Sequence, residues 1–279
     1  MLVELAIGDA YGAGFEYAPE SMIWEQNDLS AYVQHPRHDI RPGCYTDDTQ
    51  MSIAIAEAIA SGEPWTREVL AHRFVTTFKR DPREGYARGF YAFLQEIRDG
   101  EEFLAKIRPH SDKSGAAMRA APIGVFPDVN TVIDLCRLQA ALTHNTPDGI
   151  NAALVASLMS HYFLHRVGSK SALPQFIQQY VPGPWAEPWQ GKVGAQGLMS
   201  AHAALTAVMA HDSLSEILKA CIAFTGDVDT VAAIALGAAA CAQDIAQDLP
   251  AVLFNTLENS TYGLGFLQNL DRQLLQIAA

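Results

Sequence analysis

The sequence predicts an all-α domain, and three observations carry that expectation. Apolar residues recur with a helical period in segment after segment from residue 47 to residue 277. Alternating patterns long enough for a strand are scarce; residues 30–34 are the best candidate, and they are short. No internal repeat, low-complexity tract or Gly/Ser linker divides the chain. Its 279 residues, 49% of them hydrophobic, can bury a sizeable core without disulfides or a structural metal. Residues 1–279 are therefore expected to form a single compact multi-helix domain.

In chain order, residues 1–6 run directly into a helical pattern. In 47–61 the apolar positions Met51, Ile55, Ala58 and Ile59 fall on one stripe, and Gly62 follows as a C-terminal cap. Comparable stripes cover 67–78, 89–97, 132–142, 150–164, 194–209, 214–223 and 230–245, and a last helix spans 265–277. Two irregular stretches interrupt them. The polar, proline-bearing 16–44 is long for a connection inside such a domain, and loops of that length tend to be functional coverings. The second, 181–192, sets Trp185 and Trp189 between prolines; it either lines a cleft or wedges the loop onto the core.

The formal charge is −12, from 31 acidic and 19 basic residues. This excess disfavours general nucleic-acid binding, which needs lysine and arginine to neutralise phosphates. It is compatible with a cation site, although solubility alone accounts for it. Cys44, Cys136, Cys221 and Cys241 lie far apart and form no CxxC pair, which suits a reducing cytosol. No basic, apolar, small-residue leader opens the sequence, and the longest apolar run, 231–242, is too short and too alanine-rich to cross a bilayer. The expectation is a soluble, cytoplasmic monomer with no membrane partner.

Two segments could carry chemistry. Thr46-Asp47-Asp48 opens an amphipathic helix, where the exposed N–H groups and the helix dipole favour ionised carboxylates. Adjacent aspartates repel unless a cation lies between them, and magnesium takes such oxygen ligands. Ordinary N-capping is the alternative, but it needs only one of the pair. Asp227-Val228-Asp229-Thr230 repeats the design ahead of a helix poor in bulky side chains. Together the segments offer four carboxylates and two hydroxyls, enough oxygen for a two-cation site. His161 and His165 stand one turn apart without an HExxH glutamate, and read as the edge of an amphipathic helix. No GxSxG elbow, Walker loop or dinucleotide fingerprint is present.

Gly8-Asp9-Ala10-Tyr11-Gly12, Thr46-Asp47-Asp48-Thr49-Gln50-Met51 and Gly226-Asp227-Val228-Asp229-Thr230-Val231-Ala232-Ala233-Ile234 occur in that order. Between them lie the stretch from Ser114-Gly115-Ala116-Ala117-Met118 to Gly124, and Thr143-His144-Asn145-Thr146-Pro147. In this the chain resembles the ADP-ribosylglycohydrolases, the family of the dinitrogenase-reductase-activating glycohydrolases and the ADP-ribosyl-acceptor hydrolases. The likeness runs from Leu5 to about Leu267.

The resemblance implies an all-helical domain with two divalent cations, magnesium or manganese, in a central cleft. Thr46, Asp47 and Asp48 would serve one side of the metal pair, and Asp227, Asp229 and Thr230 the other. Gly115, Ala116, Ala117 and Met118 match the segment along the ADP-ribose diphosphate and ribose, where a small backbone lets N–H groups approach phosphate oxygens. His144 would lie near the nucleotide. Glu16 falls where some members carry an acid near the scissile bond, so Glu16, Asp47 and Asp229 are the catalytic candidates. Asp9 would support the first metal-side loop or cap a helix. The implied activity is metal-dependent hydrolysis of the N- or O-glycosidic bond of an ADP-ribosyl group on a protein or small molecule. A phosphoester or nucleotide hydrolase and a non-catalytic ADP-ribose binder are the alternatives.

Departures from the family pattern are the single glycine of Thr225-Gly226, Val228 in place of a threonine, and Lys113-Ser114 in place of an Asn-Gly pair. The region 85–90 also lacks the aspartate of the nitrogenase-linked branch, and the sequence opens partway through what is usually a longer first helix. The acceptor is left open among arginine, serine, a nucleobase and a small metabolite.

Overall fold

The structure is a computed structural model and describes residues 1–278. Its organising contact joins two helices that have almost no polar face. α1 (Leu2–Ala13) and α12 (Val228–Ala239) are buried nearly throughout, and a helix apolar on every side belongs inside a core. Glycine and alanine let their backbones touch. A Cβ on Gly8 would stand 2.6 Å from the Ala232 carbonyl oxygen, and one on Gly12 would stand 2.4 Å from the Asp229 Cα. The contact therefore brings Asp9 of α1 to the same end of the core as Asp227 and Asp229.

The other helices surround this pair. α2 (Glu20–Gln26) lies in the first irregular stretch, and α3 (Asp47–Ser61) packs on α1. α4 (Arg67–Arg80), α5 (Arg88–Glu96), α6 (Gly100–Lys106) and α7 (Val129–Ala141) build one flank. α8 (Pro147–Leu164), α9 (Leu173–Gln178), α10 (Gly197–Ala210) and α11 (Leu214–Ala223) build the other, with α8, α10 and α11 against α12. α13 (Ala251–Thr256) and α14 (Leu264–Ala278) close the chain, α14 against α1 and α3. Polar side chains start several helices by accepting an orphan N–H: Thr66 from Val69, Asp99 from Glu102, Asp128 from Thr131, Thr146 from Gly149 and Ser213 from Glu216. Gly62 ends α3 in the left-handed conformation expected of it. None of the described helices is long and apolar enough to cross a membrane.

The all-α expectation holds: the described residues contain isolated bridges and no strand. Residues 30–34 are irregular. Tyr32 is buried with its hydroxyl on the Leu253 carbonyl, and Gln34 bonds the Ile40 carbonyl, so the alternation records one anchored side chain instead of a sheet. The stripe read as 230–245 leaves the helix after Ala239, because the chain turns to exchange bonds between Ala246 and Asp212 and Leu214. The stretch 114–125 forms two 3₁₀ turns, Ser114–Ala116 and Ala121–Val125. In 181–192 Trp185 is buried and Trp189 partly so, which makes the stretch a wedge on the core. His161 is buried, and it and His165 donate ring N–H groups to the carbonyls of Phe126, Gly124 and Val125. The pair ties down the second 3₁₀ turn and is no solvent edge.

Gly12→Ala is expected to destabilise the fold by about 1–3 kcal/mol, since its Cβ meets backbone that cannot yield. That is a fall of roughly 2–4 °C in Tm per kcal/mol for a chain of this size. Gly89→Ala, which adds a Cβ with nothing within 4 Å, is the control and should be neutral or slightly stabilising. Thermal unfolding of the two variants checks both.

Candidate functional site

The start of α3 is held by a single carboxylate. Asp9 is fully buried and accepts from the Thr46 backbone N–H with both oxygens (3.0 and 3.2 Å) and from the Thr46 hydroxyl at 2.7 Å. It also accepts from the Thr49 N–H at 2.9 Å and the Thr49 hydroxyl at 2.5 Å. A carboxylate offers about four acceptor sites, so Asp9 is saturated by helix-start donors and has none left to give. The Asp47 N–H donates to the Glu84 carbonyl at 3.1 Å. Gly85 follows with φ +106°, and a Cβ there would collide with Asp47 Oδ1. With their backbone pinned from behind, Asp47 and Asp48 point forward.

The second segment is clamped by the chain before α10. Val193 donates to the Thr225 carbonyl at 3.0 Å and accepts from the Asp227 N–H at 3.2 Å. Thr225 (φ 63°) and Gly226 (φ +95°) take left-handed conformations to make this turn, and a Cβ on Gly226 would overlap the Val193 carbonyl. The Gly226 carbonyl accepts from the Tyr17 N–H at 2.8 Å, which draws the Glu16–Tyr17 corner onto the same turn. Val228 is buried in the core, leaving Asp227 and Asp229 on the open side. Ser200 donates to Asp227 Oδ2 at 3.3 Å and the Thr230 N–H to Asp229 Oδ1 at 2.9 Å.

These segments meet at one cavity of about 590 Å³. Glu16, Asp47, Asp48, Asp227, Asp229 and Thr230 line one part of it. Single carboxylate oxygens of Glu16, Asp227 and Asp229 lie within 4.8 Å of one another. Among the described residues none of the five acids pairs with lysine or arginine. The nearest basic group is His35, whose Nε2 stands 3.6 Å from Glu16 Oε2. His35 Nδ1 accepts from the Arg37 and His38 N–H groups, so the ring hydrogen sits on Nε2, the atom facing Glu16.

The electrostatic consequence is large. Burial, followed by the Asp9 charge, pushes Asp47 and Asp48 well above the ordinary carboxylate range. Burial and then Glu16 do the same to Asp229, and raise Asp227 from 3.8 to about 6. Asp48 Oδ2 is enclosed and has no hydrogen-bond partner. Clustered buried acids without a counter-charge, one with an orphaned oxygen, are a donor set for hard divalent cations. The residues present fit such ions.

Gly115, Met118 and His144 also line the cavity, with Ser114 beside them and close to Asp227. Ala116 and Ala117 are fully buried behind this wall, and Thr46 lies behind the acids with its hydroxyl on Asp9. The cavity thus gathers nine of the twelve candidate residues, all but Thr46, Ala116 and Ala117. Sequence reasoning did not find the aromatic wall of Tyr86, Phe90 and Phe93. Phe90 and Phe93 stack with centroids 5.9 Å apart. α5 carries Phe90 and Phe93 on its buried side, where the helical period reads them as core. Tyr17, Arg119 and Thr143 also reach the cavity.

Comparison with known proteins gives a consistent picture. A profile described as ADP-ribosylglycohydrolase matches residues 1–278. An ADP-ribosylhydrolase ARH3 of Xenopus tropicalis is 32% identical over 171 residues, which is 58% of this chain and 49% of that protein. An ADP-ribosylarginine hydrolase Tri1 of Serratia proteamaculans is 23% identical over 83% of this chain and 67% of its own length. An ADP-ribosyl-[dinitrogen reductase] glycohydrolase of Rhodospirillum rubrum is 26% identical over 83% of this chain and 80% of its own length. The matched part spans about half the length of the first of these relatives. A solved structure titled ADP-ribosylglycohydrolase-related protein complex superposes with a TM-score of 0.76 over 100% of this chain and 96% of that one, at 22% identity.

Two outcomes are expected of the acids. Asp9→Asn turns an amide N–H₂ toward donors and should cost about 3 kcal/mol, read as a lower denaturation midpoint in urea. Raised carboxyl pKa values mean that the folded state holds protons the unfolded chain releases. Stability of the metal-free protein should therefore fall as pH climbs from 3.8 through the folded values, by about 3 kcal/mol for Asp227 alone. Magnesium needs the deprotonated ligands, so the Tm difference between magnesium and chelator should widen from about pH 5 to about pH 7.5. A difference that stays flat would count against these acids as the binding group.

Proposed function

The chain belongs to the ADP-ribosylglycohydrolase family, and from that premise we propose that it hydrolyses the N- or O-glycosidic bond of an ADP-ribosyl group and releases ADP-ribose. The carrying observation is the cavity itself: five acids without a lysine or arginine partner among the described residues share it with small and aromatic residues. Asp47, Asp48, Asp227, Asp229 and Thr230 would hold two divalent cations, magnesium or manganese, with Thr46 fixed behind them by Asp9. When bound, such ions fix sugar hydroxyls and acidify water.

The side chains divide the remaining work. Gly115 and Met118 present a low wall against which an ADP-ribose backbone can lie close, and Ala116 and Ala117 keep it low from behind. Tyr86, Phe90 and Phe93 offer an apolar face suited to a flat base. Cleavage at the anomeric carbon develops positive, oxocarbenium-like charge, which a cluster of carboxylates stabilises. Glu16 is half-buried, sits beside Asp227 and Asp229, and has the His35 Nε2–H on its far side. It would take a proton from the attacking water. Asp47 and Asp229 orient the reacting groups as members of the cation set. The acceptor is an ADP-ribosylated protein or small molecule, and the site acts in a soluble cytoplasmic monomer.

Release of free ADP-ribose from a panel of arginine-, serine- and nucleobase-linked substrates tests the reading. Chelation should abolish release and magnesium restore it. Asp48→Asn and Asp227→Asn should fall to background with unchanged circular dichroism, and Glu16→Gln should lower kcat about 10²–10⁴-fold. Wild-type turnover in either aspartate variant, or inorganic phosphate as the product, would overturn the assignment.

A further inference from the structure

Arg119 is 1% exposed and has no carboxylate partner among the described residues. Its Nε donates to Gln139 Oε1 at 2.7 Å, and its Nη2 donates to the Gln139 carbonyl at 3.1 Å and to Thr143 Oγ1 at 2.8 Å. The guanidinium lies 4.3 Å above the Phe74 ring. Thr143 Oγ1 is also 2.7 Å from His144 Nδ1. A buried guanidinium held only by neutral acceptors is a costly arrangement, and its last link ends on a histidine at the cavity wall.

Hydrogen counting favours one state of that histidine. A guanidinium only donates, so Thr143 Oγ1 must accept from Arg119. The hydroxyl keeps a second lone pair, but among the described residues His144 Nδ1 is the only other group within hydrogen-bonding distance of Thr143 Oγ1, so the hydroxyl hydrogen finds a protein acceptor only if Nδ1 carries none. The neutral ring keeps its hydrogen on Nε2. No protein group among the described residues bonds Nε2, and it sits where a Cβ on Gly115 would come within 3.3 Å, at the cavity lining. The backbone of His144 is held in place. Its backbone N–H donates to the Ala140 carbonyl at 2.7 Å, and a Cβ on Gly149 would stand 2.7 Å from the His144 Cβ.

We infer that Arg119 is a positioning residue: acting through Thr143, it locks His144 in the Nε2–H tautomer and presents one neutral N–H donor to an oxygen of the ligand beside Gly115. The ligand half of this rests on the ADP-ribose reading above; the tautomer does not. Burial, reinforced by the Arg119 charge, lowers the His144 pKa from 6.5 to about 3, so the ring stays uncharged at neutral pH. His144 is thereby neither a cationic phosphate clamp nor a general base, because its one lone pair is already taken by Thr143. Gly115 leaves Nε2 uncovered, which gives the small residue at that position a second reason beyond backbone approach.

Long-range ¹H–¹⁵N spectra of histidine-labelled protein read the tautomer directly. His144→Gln identifies the signals among the nine histidines. Wild-type protein should show an unprotonated, hydrogen-bonded Nδ1 and a protonated Nε2 at neutral pH. Thr143→Val should release the lock, giving mixed tautomers and about tenfold weaker ADP-ribose binding by calorimetry in magnesium. Thr143→Ser should restore both. An Nδ1–H or doubly protonated ring in the wild type overturns the inference whatever the variants do, and so does an unchanged tautomer in a folded Thr143→Val protein. If the wild type shows the stated tautomer but binds no ADP-ribose, the proposed function fails and the relay stands.

Discussion

One buried carboxylate sets the geometry of the site. Asp9 takes its place from α1 and spends all its acceptor capacity on the start of α3, on two N–H groups and two hydroxyls. Since the glycines of α1 also fix its distance from α12, the same helix aligns both acidic segments. The link is rigid at each joint: a saturated ion–dipole cluster on one side and backbone-to-backbone contact on the other. Asp47 and Asp48 are left of α3 to face Asp227 and Asp229 of α12, although almost two hundred residues separate them in the chain.

This alignment works against stability in the absence of a counter-charge. Natural folds rarely bury acids unpaired, because desolvation and mutual repulsion both penalise the ionised state. Here the two effects coincide on Asp47, Asp48, Asp227 and Asp229, and the surroundings supply hydroxyls and N–H groups instead of cations. Basic side chains are available close by and are used elsewhere. Arg83 bridges Asp81 and Glu258 above the Tyr45 ring, and Arg80 pairs with Glu57. Their diversion to structural pairs leaves the acids without a lysine or arginine partner among the described residues.

Much of this was legible in the sequence, and the division follows a physical rule. Helix period, caps and small-residue runs are local properties, so α3, α11 and α14 read almost to the residue. The two aspartate segments read equally well, since doubled acids at a helix start exceed what capping needs. Features defined by facing partners did not. α2 buries only Ile23 and so has no stripe to detect. Phe90 and Phe93 share the core period of α5, and nothing local says that their outer edges border a cavity. His35 becomes relevant to Glu16 only because two backbone N–H groups claim its other nitrogen. Ala116 and Ala117 lie fully buried behind the wall, and the residues at its surface are Gly115 and Met118.

The polar design of the two walls follows from the same logic. On the acid wall, charge is abundant and protein hydrogens are few, so the proposed cations would supply the affinity for a ligand. Beside Gly115, Arg119 is withdrawn behind Thr143 and reaches the cavity as an oriented neutral dipole, while Lys106, Arg108 and Lys113 line the same cavity without pairing with its acids among the described residues. An arginine able to reach Asp48 or Asp229 would neutralise carboxylates proposed to hold cations. Holding Arg119 on Gln139 and Thr143, under Phe74, keeps its field while denying it that contact. The buried arginine and the unpaired acids are two halves of one arrangement, in which opposite charges share a cavity without being allowed to meet.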